Sequence, residues 1–129
     1  MRAKLILKAE KKQYDENVAR AREASELATQ LFDSFAAKKA FGHDEAKKLE
    51  RLEKLTKRIR NEAGGSDTDP EAKEIPGMLE SAIKRMAELA DEMRKLVEGT
   101  PRHVISAAVI DQSNKLLGLI QHVRNGASQ

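Results

Sequence analysis

Apolar residues recur at alternating four- and three-residue steps through four stretches of this chain, the period of a helix with one buried face. In the first stretch the stripe is Tyr14, Val18, Ala21, Ser25, Ala28, Phe32 and Phe35, widened by Leu27 and Leu31 and reaching back toward Leu7. It predicts a long helix ending near Phe41–Gly42, where glycine can take the left-handed conformation of a helix stop. Asp44 then offers a side-chain acceptor to the free amides of a second helix. That helix carries Leu49, Leu52, Thr56, Ile59 and Ala63, with Leu55 alongside. Glu50–Lys54 and Glu53–Lys57 are acid-first pairs one turn apart, and Lys57, Arg58 and Arg60 favour a helix C-terminus. Gly64–Gly65 closes it.

The run SDTDPEAKEIPG at 66–77 holds two of the three prolines and four carboxylates against one lysine, without apolar periodicity. It reads as an exposed acidic linker, taken here as residues 64–77. Leu79, Ile83, Met86, Ala90, Met93 and Val97 then define a third helix, flanked by Leu89 and Leu96 and stopped by Gly99. Thr100–Pro101 suits a fourth start, because the threonine hydroxyl caps and a proline at the first helical position needs no amide donor. Ile105, Val109, Gln112, Leu116, Leu119 and Val123 form its main stripe, with Gly126 as the expected stop. Val104 and Ala108 on one side, and Ile110, Leu117 and Ile120 on the other, spread its apolar arc over roughly two-thirds of the circumference, well beyond a single surface stripe.

The two halves echo each other. A shift of 64 residues superposes Ile59-Arg60-Asn61 on Val123-Arg124-Asn125 and Leu52 and Leu55 on Leu116 and Leu119, and a shift of 62 superposes SELATQL on AELADEM. The difference falls in an inter-helix turn, where changes of length cost little. Amphipathic helices align at heptad spacing by chance, but the shared arginine–asparagine pair lies off the apolar stripe. The expected architecture is therefore an all-α antiparallel four-helix bundle in one domain, 1–129. It consists of two related hairpins, about 1–63 and 78–125, joined by the acidic linker.

Composition fits this picture and narrows function. Of 129 residues, 35% are charged and 40% hydrophobic but only 3% aromatic, the balance of amphipathic helices rather than of a disordered chain. There is no cysteine, so neither disulfides nor a thiolate site is available. The longest apolar run near the start, Leu5–Leu7, is too short for a membrane span or a signal segment. The compartment stays open, cytoplasmic by default and exported if a leader has been removed. The net charge is +3, with nine basic and six acidic residues in 1–40 and seven and five in 41–63. Such mixing weakens the field offered to a polyanion.

Candidate chemistry is sparse. A metal site in a bundle needs converging carboxylates and histidines, often as Glu-x-x-His, and none of His43, His103 and His122 has a glutamate three residues before it. Ser25 and Ser113 have no nearby histidine, Gly64-Gly65-Ser66 lacks the rest of a phosphate loop, and Asp67-x-Asp69 lacks the glycine and distal glutamate of a calcium loop. No enzyme activity, metal or cofactor is expected. Two surfaces remain. Ile110, Leu117 and Ile120 on the fourth helix form a candidate self-association face, which predicts a homodimer. Lys47, Lys48, Lys54, Lys57, Arg58 and Arg60, with Lys38 and Lys39 nearby, form a candidate basic face for nucleic acid or another polyanion. Interleaved glutamates and the scarcity of aromatics argue against nucleic acid.

The runs KAEKKQYDENVARAREASELATQL and KKLERLEKLTKRIRN resemble small helical bacterial proteins to which no activity is assigned, many of them carrying an export leader. The resemblance implies a bacterial origin and a compartment that includes the exported space. It implies no site residues. The expectation is a non-catalytic interaction or structural module that self-associates, with polyanion binding through the first two helices as the alternative.

Overall fold

The computed structural model describes residues 2–65, 79–99 and 107–127, which form α1 (Arg2–Lys38), α2 (His43–Glu62), α3 (Leu79–Gly99) and α4 (Ala107–Ala127). The protein is an all-α four-helix bundle. The 66–77 linker segment, the Thr100–Pro101 start, and Val104 and Ile105 lie outside the described residues.

Each helix packs on two others: α1 and α4 both touch α2 and α3, while α1 faces α4, and α2 faces α3, diagonally across the core. Side-chain bonds set the directions. Tyr14 Oη donates to Glu98 O, Ser25 Oγ to Asp91 Oδ1 and Lys39 Nζ to Glu80 Oε1, so α1 and α3 run antiparallel. Arg51 to Glu23 and Lys38 to Glu45 set the same relation between α1 and α2. Gln112 bonds Leu89 O, and Arg124 reaches Glu53 while Arg60 reaches Asn114, so α4 is antiparallel to both of its neighbours. Like helices of the two hairpins thus face each other, α1 against α3 and α2 against α4. A half-turn perpendicular to the bundle axis exchanges the hairpins and carries each of these interfaces onto itself.

Apolar burial follows the predicted stripes. Ala21, Ala24 and Ala28 are fully buried, and their small side chains let α1 lie close to its neighbours. Leu31, Leu52, Ile59, Ile83, Met86, Met93 and Leu116 fill the centre. The wide arc of α4 is used inside the molecule, because a helix wedged between α2 and α3 buries two sides. Leu117 is 2% exposed and Ile120 0%, and Ile110 is a half-buried residue packed against the core. Leu117 and Ile120 are therefore core and Ile110 is at the core margin, so the first two are not exposed as a self-association face on α4 requires.

Helix ends depart from expectation in instructive ways. The left-handed residue after α1 is Lys39, with φ 54°, whereas Gly42 has φ −100° and serves as the N-cap of α2. Asp44 sits exposed inside the first turn, and Glu45 takes the capping role by accepting the Gly42 N–H at 3.2 Å. Ser34 Oγ and Lys38 Nζ, both from α1, also donate to Glu45, so one buried carboxylate ties the two helices at their turn. The Ser34 hydroxyl, then a backbone amide, then Lys38 hold its carboxyl down to about 2 from an ordinary 4.5. Gly64, at φ 103°, ends α2 as predicted, while Gly126 lies within α4 and does not stop it.

Helix length sets one further feature. α1 has 37 residues against 20 in α2 and 21 in α3. At about 1.5 Å per residue it is roughly 55 Å long beside neighbours of about 30 Å.

Two predictions follow from this packing. Leu117→Ala should cost about 2–5 kcal/mol in urea denaturation, and Leu117→Glu should abolish cooperative folding; a folded Leu117→Glu protein of wild-type Tm would show the α4 packing to be wrong. Glu45 has a depressed folded-state pKa, so the stability it contributes is complete above pH 4.5 and lost as pH falls through about 2. Glu45→Gln should lower the Tm at neutral pH and flatten its fall over that acid range.

Candidate functional site

Of the residues that carry chemistry, the cations of α2 are the most ordered set. Lys47, Arg51, Lys54 and Arg58 follow one another at four-, three- and four-residue steps, which aligns them along a single strip of the helix. All four are exposed. Where this strip meets α1, Arg51, Lys54 and Arg58 join Glu16, Ala19, Arg20 and Glu23, over Leu55, to line a groove of about 490 Å³.

Ion pairs organise the groove. Arg51 bridges the two helices with a two-pronged contact, Nε to Glu23 Oε2 at 2.8 Å and Nη2 to Oε1 at 3.3 Å. This contact lowers the Glu23 pKa and raises that of Arg51, chiefly through the hydrogen bond itself. The other pairs are looser: Arg20–Glu16 at 3.5 Å, Lys54–Glu50 at 3.6 Å and Arg58–Glu62 at 3.4 Å. The Lys54–Glu50 pair, exposed on both sides, is worth about 0–1 kcal/mol, and the Arg58 side chain is likewise exposed. Arg20 Nη1 is buried and makes no hydrogen bond, so the groove wall holds an unused donor.

The expected basic face is thus only partly one surface. Lys47, Lys54 and Arg58 share the strip. Lys57 points away to pair with Glu53, which also accepts Arg124 from α4, and half-buried Lys48 lies off the strip. Arg60 does not belong to the face: it is 2% exposed, with Nη1 on Asn114 Oδ1 and Nε on Asn61 Oδ1, both at 3.4 Å. Gly65 covers it so closely that a Cβ there would come within 2.7 Å of Arg60 Cγ. Both arginines of the sequence echo therefore cross the same interface, Arg60 from α2 to α4 and Arg124 from α4 to α2. Arg51 and Arg20 were absent from the expected set. The four-three-four spacing marks Arg51, but nothing local in the sequence marks Arg20, because its role depends on which face of α1 meets α2.

Polar residues on the apolar stripes are engaged in the packing. Tyr14 and Ser25 bond α3, Thr56 Oγ1 donates back to Leu52 O, and Gln112 Nε2 donates to Leu89 O and Glu92 Oε2. Ser113 Oγ lies 3.4 Å from Met93 Sδ. On the α1–α3 seam, Arg94 holds Asp91 and Glu98, and Arg22 also holds Glu98. Asp91 is lowered mainly by Arg94, and Glu98 mainly by Arg22. His43 is exposed at the start of α2, His122 is half-buried on α4 and His103 lies outside the described residues. Among the described residues, no three His, Asp or Glu side chains gather as metal ligands would.

No protein-family model, curated protein or solved structure matches the chain. The functional reading consequently rests on the geometry above.

Arg60 and Arg58, two residues apart, should behave oppositely. Arg60→Ala should destabilise the fold by about 2 kcal/mol or more, through lost packing and buried donors and acceptors left unpaired. Arg58→Ala should stay within about 0.5 kcal/mol of wild type. Urea midpoints measured on both variants check this, and equal effects would contradict the burial of Arg60.

Proposed function

We propose that the protein is a non-catalytic helical interaction module, and that the groove between α1 and α2 takes an acidic segment of a partner protein. The observation behind this reading is the lining of that groove: four cations, Arg20, Arg51, Lys54 and Arg58, against two carboxylates, Glu16 and Glu23. A partner's carboxylates would exchange with the loose intrahelical pairs of Lys54 and Arg58. The Arg51–Glu23 bridge stays in place and ties the two walls together. Tyr14, Ser25 and Gln112, the polar residues of the apolar stripes that reach a neighbouring helix, are committed to hydrogen bonds there, and the cations of the groove lie on the outside of the bundle. Self-association through α4 does not belong to this reading, since Leu117 and Ile120 are core residues.

A second reading keeps the same cations and gives them a nucleic acid or another polyanion. Glu16 and Glu23 oppose it by repelling phosphates, and no aromatic residue lines the groove for base stacking.

Fluorescence anisotropy separates the two. A labelled poly-glutamate peptide should bind at low ionic strength, and the Lys54→Ala/Arg58→Ala double variant should weaken it about tenfold or more. Tighter binding of a DNA duplex through the same residues would favour the second reading. Peptide binding that is absent, or indifferent to the double variant, would remove the groove as the functional surface.

A further inference from the structure

The register of the α1–α2 groove places two cations face to face. The Arg51–Glu23 contact fixes the antiparallel alignment of the two helices. Arg20 lies three residues before Glu23 and Lys54 three residues after Arg51, so both fall about 4.5 Å further along the groove, on one level. Glu16 and Arg58, seven residues from the same contact, form the next level. All of these residues line the groove. Two of its levels set opposite charges across from one another, while the middle one sets the Arg20 guanidinium against the Lys54 ammonium.

Among the described residues, no carboxylate bridges that middle level. Arg20 turns to Glu16 at 3.5 Å and Lys54 to Glu50 at 3.6 Å, each one turn away on its own helix. Arg58 likewise turns to Glu62, and neither Glu50 nor Glu62 lines the groove. The Lys54 and Arg58 side chains are 68% and 61% exposed, so both can swing toward a group held between the walls. The Arg20 side chain is 19% exposed and stays in the wall, where it contributes fixed charge. A partner carboxylate brings one negative charge and would leave one of the two facing cations uncompensated.

We propose that the acidic segment taken by this groove is phosphorylated, and that its phosphoserine or phosphothreonine group seats between Arg20 and Lys54. The inference rests on the reading of the groove as a site for an acidic segment of a partner. A phosphate monoester carries about −1.5 to −2 charges at neutral pH and three acceptor oxygens, enough to compensate both cations at one point. Arg58, one turn beyond Lys54 on the same strip, is placed to add a charge-assisted hydrogen bond. The site suits one dianion rather than a row of charges, because Glu16 and Glu23 lie on either side of Arg20 along α1. Successive phosphodiesters of a nucleic acid, each with a single charge, would meet those carboxylates.

Fluorescence anisotropy with the full chain tests this. The probes are labelled peptides with four glutamates on each side of a central phosphoserine, glutamate or serine. The phosphoserine peptide should bind about tenfold or more tighter than the glutamate peptide. Lys54→Gln should remove most of that preference, whereas Lys47→Gln, the same charge change on the same strip but outside the groove, should keep it. Both positions are exposed, so both variants should keep the wild-type Tm. Equal affinity for the phosphoserine and glutamate peptides would overturn the proposal and leave the acidic-segment reading standing. A loss of preference in Lys47→Gln as great as in Lys54→Gln would overturn it too, by showing diffuse attraction to charge. So would inorganic phosphate that displaces the phosphopeptide at concentrations near the peptide's own Kd, the mark of a site for the free ion. Failure of all three peptides to bind would remove the acidic-segment reading and this inference together.

Discussion

Every helix here lies between two antiparallel neighbours and faces the fourth across the core, and that one constraint governs the rest of the structure. A helix with two neighbours must bury two sides. For α1 the cost in space is met by Ala21, Ala24 and Ala28, fully buried residues that admit close approach. For α4 it is met by large side chains spread round the helix, with Leu116 and Ile120 inaccessible and Leu117 and Leu119 nearly so. Helices of 20 and 21 residues also cannot by themselves flank one of 37 along its whole length.

The pairing of like helices gives the bundle its internal logic. With α1 on α3 and α2 on α4, each seam is formed by corresponding elements of the two hairpins running in opposite directions. Arg60 and Arg124 then cross one seam from opposite sides, to Asn114 and to Glu53. Their environments differ: Arg60 is sealed under Gly65, while the Arg124 side chain is 42% exposed. An echo in sequence has thus become one buried structural group and one outer ion pair, and the arginine buried beneath Gly65 is lost to any external ligand.

Charge on the exterior is sorted in the same way. Carboxylates that face a neighbouring helix are used to hold it, as Glu45 holds Ser34 and Lys38 and as Glu23 holds Arg51. Cations that outnumber the carboxylates line the α1–α2 groove. The groove proposed for contact with a partner is a place where helix packing leaves cations over.

The heptad pattern by itself determined the helical class, the existence of the helices and most of the buried positions, because a 3.6-residue period with apolar residues on one face has few other uses. It marked the glycine stop at Gly64 and the acid-first pairs of α2 for equally local reasons. Which helix lies beside which was settled only in three dimensions, and each mistaken expectation goes back to that. Leu117 and Ile120 read as an interface because periodicity shows that an arc is apolar but not how many neighbours cover it. Arg60 read as surface because a cation near a helix end ordinarily reaches water, whereas here α4 and Gly65 close over it. Asp44 gave way to Glu45 as the cap because the neighbouring Ser34 and Lys38, brought in by the fold of the hairpin, supply the longer side chain with partners. Local sequence fixes periodicity and charge; tertiary packing alone decides which faces meet, and so which charged groups remain available to anything outside the chain.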